Sequence, residues 1–331
     1  MLAVQGQDPR GARLAIRARS AGLSAAAVDR ELSERRSLLI TWLNRGTLHL
    51  VASEDYPWLH ALTTPPLFTA SARRLAQEGV PPADAERGVT TIERSLIAEG
   101  PLTRAQLAER IAVAGVRTEG QALVHLLLLA SLRGIAVRGP MVGREHAYVH
   151  VRDWLGESRP VAREQALAEL ARRYLAGHGP ASERDLAKWA GLALRDARAS
   201  FAAIAAQLHE REDGTVALTA VRRTRGRSSG SALPPPRLLG PYDPVLLGWS
   251  SRAALLGEHK TIVTTNGLFR PFALVKGRAV ALWRLSAGEV QIEPLSSIAP
   301  ADAAALREEA DDVVRFMAGA RAPSKEQREG A

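Results

Sequence analysis

Cysteine is absent from the chain. That excludes disulfides, zinc–cysteine centres and thiol catalysis, and it favours a reducing compartment, the cytoplasm. Long apolar runs are missing as well. The longest, around Leu126 to Leu132, falls far short of the roughly 20 residues needed to cross a bilayer, so no membrane partner is expected. No basic stretch leads into an apolar segment at the N-terminus, and no secretory signal is expected. Lysine is scarce, being confined to Lys188, Lys260, Lys276 and Lys325.

The sequence also lacks the signatures of the commonest catalytic sites. It has no Gly-x-x-x-x-Gly-Lys loop, no His-Glu-x-x-His and no Gly-x-Ser-x-Gly elbow. The histidines at 49, 60, 125, 146, 150, 178, 209 and 259 show no metal-ligand spacing. His146 and His150 fall in a predicted hairpin, where a spacing of four does not bring side chains to one helical face. A hydrolase acting through serine, cysteine or a metal is therefore not expected.

What the chain has in abundance is arginine. Lysine and arginine together number 44 against 35 acids, a net charge of +9. Such a balance is the footprint of a polyanion partner, and guanidinium forks suit phosphates and guanine edges. A GC-rich genome produces the same enrichment in Ala, Arg and Gly, so composition leaves both readings open.

Helix, helix, hairpin is the recurring pattern. Val28 and Leu32 sit at helical spacing, then Leu38–Trp42 and Thr47–Val51 flank an Asn44-Arg45-Gly46 turn. The segments from Glu99 and, 79 residues on, from His178 both contain Gly-Pro-x-[Ser/Thr]-x-x-x-Leu-Ala. Thr103 and Ser182 are the expected N-caps, with Leu107 and Leu186 as the first core anchors. Hairpins follow each, Ile135–Val151 and Leu208–Leu218, the latter turning at Asp213-Gly214. The spacing predicts an α+β chain: three tandem winged-helix domains followed by a small antiparallel β-barrel-like C-terminal domain. The expected boundaries are 1–60, a helical connection 61–94, 95–155, and 162–220. A basic Pro/Gly/Ser linker or loop follows at 221–237, then the β-rich part 238–299, a helix 300–318 and a disordered tail 319–331. Within the β-rich part, strands are expected at Ile262–Thr265, Phe272–Val275, Ala279–Trp283 and Val290–Ile292.

Near the start stands Gln5-Gly6-Gln7-Asp8-Pro9. Read as local structure, Asp8 caps a helix that begins with Pro9, and the glutamines are polar surface groups beside it. Read as chemistry, two amides one residue apart on an extended backbone project to one side and suit a shared water.

Several segments together resemble the winged-helix DNA-binding proteins of the AlkZ/YcaQ type. They are Val4–Arg10, Thr41–Val51, Asp55–Leu59, Tyr174–Leu175, Gly179–Pro180, Asp185, Trp189–Leu192, Leu238–Trp249 and Gly277–Trp283, covering about residues 3 to 318. The resemblance implies a monofunctional bacterial DNA glycosylase that excises alkylated purines, unhooks interstrand crosslinks and needs no cofactor. Its Gln-Φ-Gln motif maps onto Gln5, Gly6 and Gln7, making Gln5 and Gln7 the expected catalytic residues. The glycine at the central position departs from the motif. Only four residues precede Gln5, so the first winged helix is expected to lack the helical turns that lead it in the family. Arg45, Thr47 and His49 are the expected DNA contacts on the wing, and Arg222, Arg223, Arg225 and Arg227 those on the basic loop. The implied partner is alkylated or crosslinked double-stranded DNA, bound by a monomer in the cytoplasm at the nucleoid. The same winged helices also fit a non-catalytic DNA-binding regulator or a family member without activity.

Overall fold

The computed structural model describes residues 2–143, 145–157, 160–219, 234–259, 261–264 and 266–319. In chain order these form β1 (Ala3–Gln5), α1 (Pro9–Arg17), α2 (Ala25–Ser33), β2 (Leu38–Leu43), β3 (Thr47–Ala52), α3 (Tyr56–Thr63), α4 (Phe68–Gln77), α5 (Pro82–Glu99), α6 (Arg104–Val113) and α7 (Ala122–Leu132). There follow β4 (Ala136–Val142), β5 (Glu145–His150), α8 (Val151–Leu155), α9 (Arg163–His178), α10 (Glu183–Ala190), α11 (Leu194–Ala202), β6 (Leu208–Glu210) and β7 (Val216–Leu218). The last part holds β8 (Arg237–Leu239), α12 (Ala253–Leu256), β9 (Phe272–Val275), β10 (Arg278–Ser286), β11 (Glu289–Pro294) and α13 (Pro300–Ala318). The chain is a mixed α and β structure with antiparallel sheets, and it divides into two compact units.

One unit comprises Met1–Ala3 and Glu31–Thr219. Its main sheet runs β3-β2-β4-β5, with Ala3 at the β3 edge. β2 and β3 pair from Leu38↔Ala52 to Leu43↔Thr47, and Ile40↔Arg138 joins this hairpin to β4 and β5. The two hairpins expected from separate repeats thus share one sheet. The turn between β2 and β3 is tight because Arg45 and Gly46 both take positive φ, 58° and 74°. α7 is apolar on every side and is buried along almost its whole length.

Both expected N-caps are present, and each heads a capping box. Thr103 Oγ1 accepts from Gln106 N at 3.2 Å, and Gln106 Oε1 accepts from Thr103 N at 2.9 Å. Ser182 and Asp185 reproduce the arrangement at 3.3 and 2.9 Å. The residue before each cap bridges to the second strand of the hairpin that follows it in sequence, Leu102 to Tyr148 and Ala181 to Val216. Leu107 and Leu186 are fully buried, as expected of core anchors. Buried Asp55 ties the start of α3 to α9, accepting from Arg173 Nη1 and Nη2 at 3.1 and 2.9 Å and from Trp58 Nε1 at 3.3 Å.

The other unit comprises Val4–Arg30 and Ala220–Ala331. Its sheet order is β11-β10-β9-β8, antiparallel throughout. β8 was not expected, because three residues after a proline run are too short to show alternation. Conversely, the strand expected at Ile262–Thr265 is not formed. The described residues there make a single bridge, Val263↔Phe269, since the Asn266-Gly267 turn reverses the chain after one pair. Leu14 of α1, Leu238, Trp283, Leu306 and Val313 share a core between the sheet and α13. Trp283 Nε1 donates to Leu239 O at 2.8 Å. Trp42, Trp58 and Trp283 are all buried.

Candidate catalytic pair and nucleic-acid interface

Gln5 ends β1 and is buried; Gly6 continues buried, and Gln7 is exposed. The Gln5 Nε2 donates to Gln7 Oε1, so the two amides touch. Asp8 is then extended, at φ −108° and ψ 111°, and its Oδ1 accepts from Gly11 N at 2.5 Å. Pro9 occupies the first turn, where its missing N–H costs nothing. Capping of α1 and juxtaposition of the glutamines are therefore one local structure.

Three arginines fix α1 within its unit. Arg13 Nε donates to Asp29 Oδ1 at 2.8 Å. Buried Arg17 reaches Glu309 Oε2 at 2.8 Å, Asp312 Oδ2 at 2.5 Å and Leu238 O at 2.8 Å. Arg19 makes a two-point pair with Asp243, which is completely buried. Gly11 and Gly240 permit the approach: a Cβ on Gly11 would lie 2.5 Å from Pro241 O, and one on Gly240 3.0 Å from Leu14 Cβ. Composition offers no sign of these anchors. The signal that would find them is arginine at positions 13 and 17, on the same helix face as Leu14.

Arg45, Thr47 and His49 lie in the other unit, gathered on the β2–β3 hairpin. Arg45 is half-buried and donates to the Trp189 carbonyl at the end of α10. Gly191 sits against it; a Cβ there would lie 2.7 Å from Arg45 N. Thr47 Oγ1 donates to Asn44 O at 3.2 Å. His49 is buried with Nδ1 2.9 Å from Thr47 O. Burial, and secondarily the charge of Arg45, lowers its pKa to about 3, against the opposing bond to Thr47. His49 is accordingly neutral at pH 7, with its proton on Nδ1 facing the carbonyl and Nε2 left as an acceptor.

Sequence reasoning passed over two neighbours of this group. Thr41 pairs with His49 across the strands, and both Thr41 and Asn44 are fully buried. Among the described residues, neither the Thr41 hydroxyl nor either Asn44 amide atom has a hydrogen-bond partner. Buried polar groups are costly without partners. The available signal was a threonine and an asparagine in the otherwise apolar Leu38–Asn44 stretch. Arg222, Arg223, Arg225 and Arg227 lie outside the described residues. Among the described residues no cluster of three His, Cys, Asp or Glu could hold a metal, and no helix is long and apolar enough to cross a membrane.

A family model described as DNA glycosylase AlkZ-like matches residues 1–316. An interstrand DNA cross-link repair glycosylase of Streptomyces sahachiroi is 26% identical over 340 residues, spanning 97% of this chain and 90% of the relative. The solved structure of Streptomyces sahachiroi DNA glycosylase AlkZ matches with a TM-score of 0.76 at 24% identity, over 97% of this chain and 90% of that one. The structural match establishes a shared fold.

Proposed function

The chain belongs to the AlkZ-like DNA glycosylase family, and on that premise we propose that it hydrolyses the N-glycosidic bond of alkylated purines in double-stranded DNA, Gln5 and Gln7 positioning the water. The observation that carries this reading is the contact between the Gln5 and Gln7 amides, one buried and one exposed, at the capped start of α1.

An N7-alkylated purine carries positive charge, so its bond to the sugar is already weak. Water oxygen bonds to C1′ as the C1′–N9 bond breaks. The electron pair passes to the purine, which leaves neutral, and the water proton goes to solvent. The enzyme must hold the water and tolerate an oxocarbenium-like sugar. Each amide oxygen has two lone pairs, so Gln7 Oε1 accepts from a water while accepting from Gln5. A neutral amide stabilises developing positive charge less than a carboxylate does, and this mildness spares undamaged purines, which are poor leaving groups.

To the same reading belong three tandem winged helices at 1–60, 95–155 and 162–220, joined by 61–94 and followed by a barrel-like part at 238–299 with its helix at 300–318. The matching capping boxes and bridges at Leu102 and Ala181 support the repeats. Arg45, Thr47 and His49 would face the lesion or its phosphates, His49 as a neutral acceptor, and Arg222, Arg223, Arg225 and Arg227 the flanking backbone. Crosslinked DNA is the extended substrate, because the relative from Streptomyces sahachiroi is a cross-link repair glycosylase. The protein would act as a monomer on the nucleoid in the cytoplasm.

The test is abasic-site formation on a duplex carrying one N7-methylguanine. Wild type is expected to excise. The double variant Gln5→Ala/Gln7→Ala is expected to lose about 100-fold or more in single-turnover rate while retaining duplex affinity within twofold. Equal rates in the two proteins overturn the reading. A footprint at one defined sequence, unaltered by the double variant and without excision, would make the chain a regulator instead.

A further inference from the structure

Among the described residues, most half-buried or buried arginines meet a carboxylate, as Arg13, Arg17 and Arg173 do. Arg138 does not. It stands on β4 directly opposite Tyr148 and beside Ile40, whose strand carries Trp42 two residues on, so all four share one face of the sheet. The Arg138 Cζ lies 5.0 Å from the ring centroids of both Trp42 and Tyr148. The two rings are themselves near parallel, 19° apart with centroids at 6.4 Å. Arg138 Nε donates to Tyr148 Oη at 3.0 Å. The guanidinium is thus fixed in orientation by two rings and one hydroxyl. No described residue accepts from its Nη1 or Nη2, and the side chain is half-buried, not enclosed.

A second cation stands close by. Leu102 pairs with Tyr148 through both its N–H and its carbonyl, at 3.0 and 2.8 Å, which brings the start of α6 to β5. Arg104, exposed in the first turn of α6, is near enough for its charge to act on the Tyr148 hydroxyl, as is Arg138. Glu145, exposed on β5, is the one acid that acts there. Two cations outnumber it.

We propose that Arg138, braced on Trp42 and Tyr148 and seconded by Arg104, is a preorganised contact for a phosphate of the duplex backbone, separate from the Arg45-Gly46-Thr47-x-His49 group. The proposal rests on the reading that the ligand is double-stranded DNA. A guanidinium held by its Nε edge and faces presents its two Nη groups in the fork that fits two phosphate oxygens. Preorganisation matters here because a free arginine loses rotamer entropy on binding, and this one has already lost it.

The experiment is fluorescence anisotropy of the full chain on an undamaged duplex over a salt series, so the result does not depend on excision. Arg138→Gln is expected to weaken binding about 3- to 10-fold at 0.15 M salt and to reduce the slope of log K against log salt by about 1, whatever the sequence. Arg104→Gln is expected to act in the same direction more weakly. Tyr148→Phe keeps every charge and removes only the brace, and it is the arm to read where Arg138→Gln fails to fold. It is expected to weaken binding about threefold with the slope unchanged. A role confined to packing predicts that Arg138→Gln lowers the melting temperature and keeps the salt slope of wild type, and that result overturns the proposal. So does wild-type affinity in Tyr148→Phe. Failure of the Gln5/Gln7 reading shows as unchanged excision in the double variant and leaves these slopes untouched.

Discussion

Arg19 and Asp243 form a two-point ion pair, Nη1 to Oδ2 at 2.9 Å and Nη2 to Oδ1 at 2.6 Å, across 224 residues of sequence. Asp243 has no solvent exposure, and its Oδ1 also accepts from Val245 N at 2.9 Å. The pair closes the end of α1 onto the segment that follows β8. Because the glutamines lie just before α1, whatever holds the helix also holds them.

Removing Arg19 would strand a buried carboxylate. Arg19→Ala is expected to destabilise the unit containing α1 by about 3–5 kcal/mol, the usual cost of an orphaned buried charge. The double change Arg19→Leu/Asp243→Leu is expected to recover part of that loss. Urea titration measures both, and the single variant is expected to lose excision in parallel with stability. Equal stability of single variant and wild type would show that the pair contributes nothing.

The pH dependence of stability has a defined sign at His49. Its folded pKa, about 3, lies below the ordinary 6.5, so the unfolded chain takes up the proton first. Above pH 6.5 the residue contributes no pH dependence. Between 6.5 and 3, stability falls as pH falls, by up to about 1.4 kcal/mol per unit from this residue. Comparing denaturant midpoints from pH 7 to 4 isolates the effect: His49→Gln is expected to show a slope shallower by up to that amount. An unchanged slope means the imidazole is not buried neutral.

How much of this was legible beforehand differs by element. The capped start at Asp8-Pro9 and the caps at Thr103 and Ser182 were legible because N-caps are local: one side chain, three residues, one bond. β8 and the missing strand at Ile262–Thr264 were not, since short strands are decided by which neighbour offers a ladder, and Leu238 and Leu239 find Ala273 and Phe272. The joining of two hairpins through Ile40↔Arg138 was hidden for the same reason. The glutamine pair was visible as a motif, but its contact depends on β1 ending at Gln5, and the partners of Arg17 and Arg19 that anchor α1 lie more than 200 residues away in sequence.

The repeated capping boxes make a paired prediction. Thr103→Ala and Ser182→Ala each remove the acceptor for one helix N–H and one half of a reciprocal pair. Each is expected to cost about 1 kcal/mol, and the two to add, since they cap different helices, α6 and α10. Thermal melting of the two single variants and the double variant checks this, and a strongly non-additive double variant would mean that the two helix starts are energetically coupled.

Gly191 links the β2–β3 turn to the helix behind it. It ends α10 at φ 71°, in the left-handed region, and a Cβ there would meet Arg45 N at 2.7 Å and Arg45 Cα at 3.2 Å. Gly191→Ala therefore adds a steric clash with backbone to an unfavourable φ, and the backbone it strikes is the turn that carries Arg45 and precedes Thr47 and His49. The cost is expected at about 1–3 kcal/mol. The turn is the softer partner, being held by two positive-φ residues and the Arg45 bond to Trp189 O, so it is the part expected to move. If this turn faces the lesion, excision on N7-methylguanine duplex is expected to fall more than binding to undamaged duplex, with Arg138-dependent salt slopes preserved. Loss of stability with the ratio of excision to binding unchanged would show that the turn serves the fold alone.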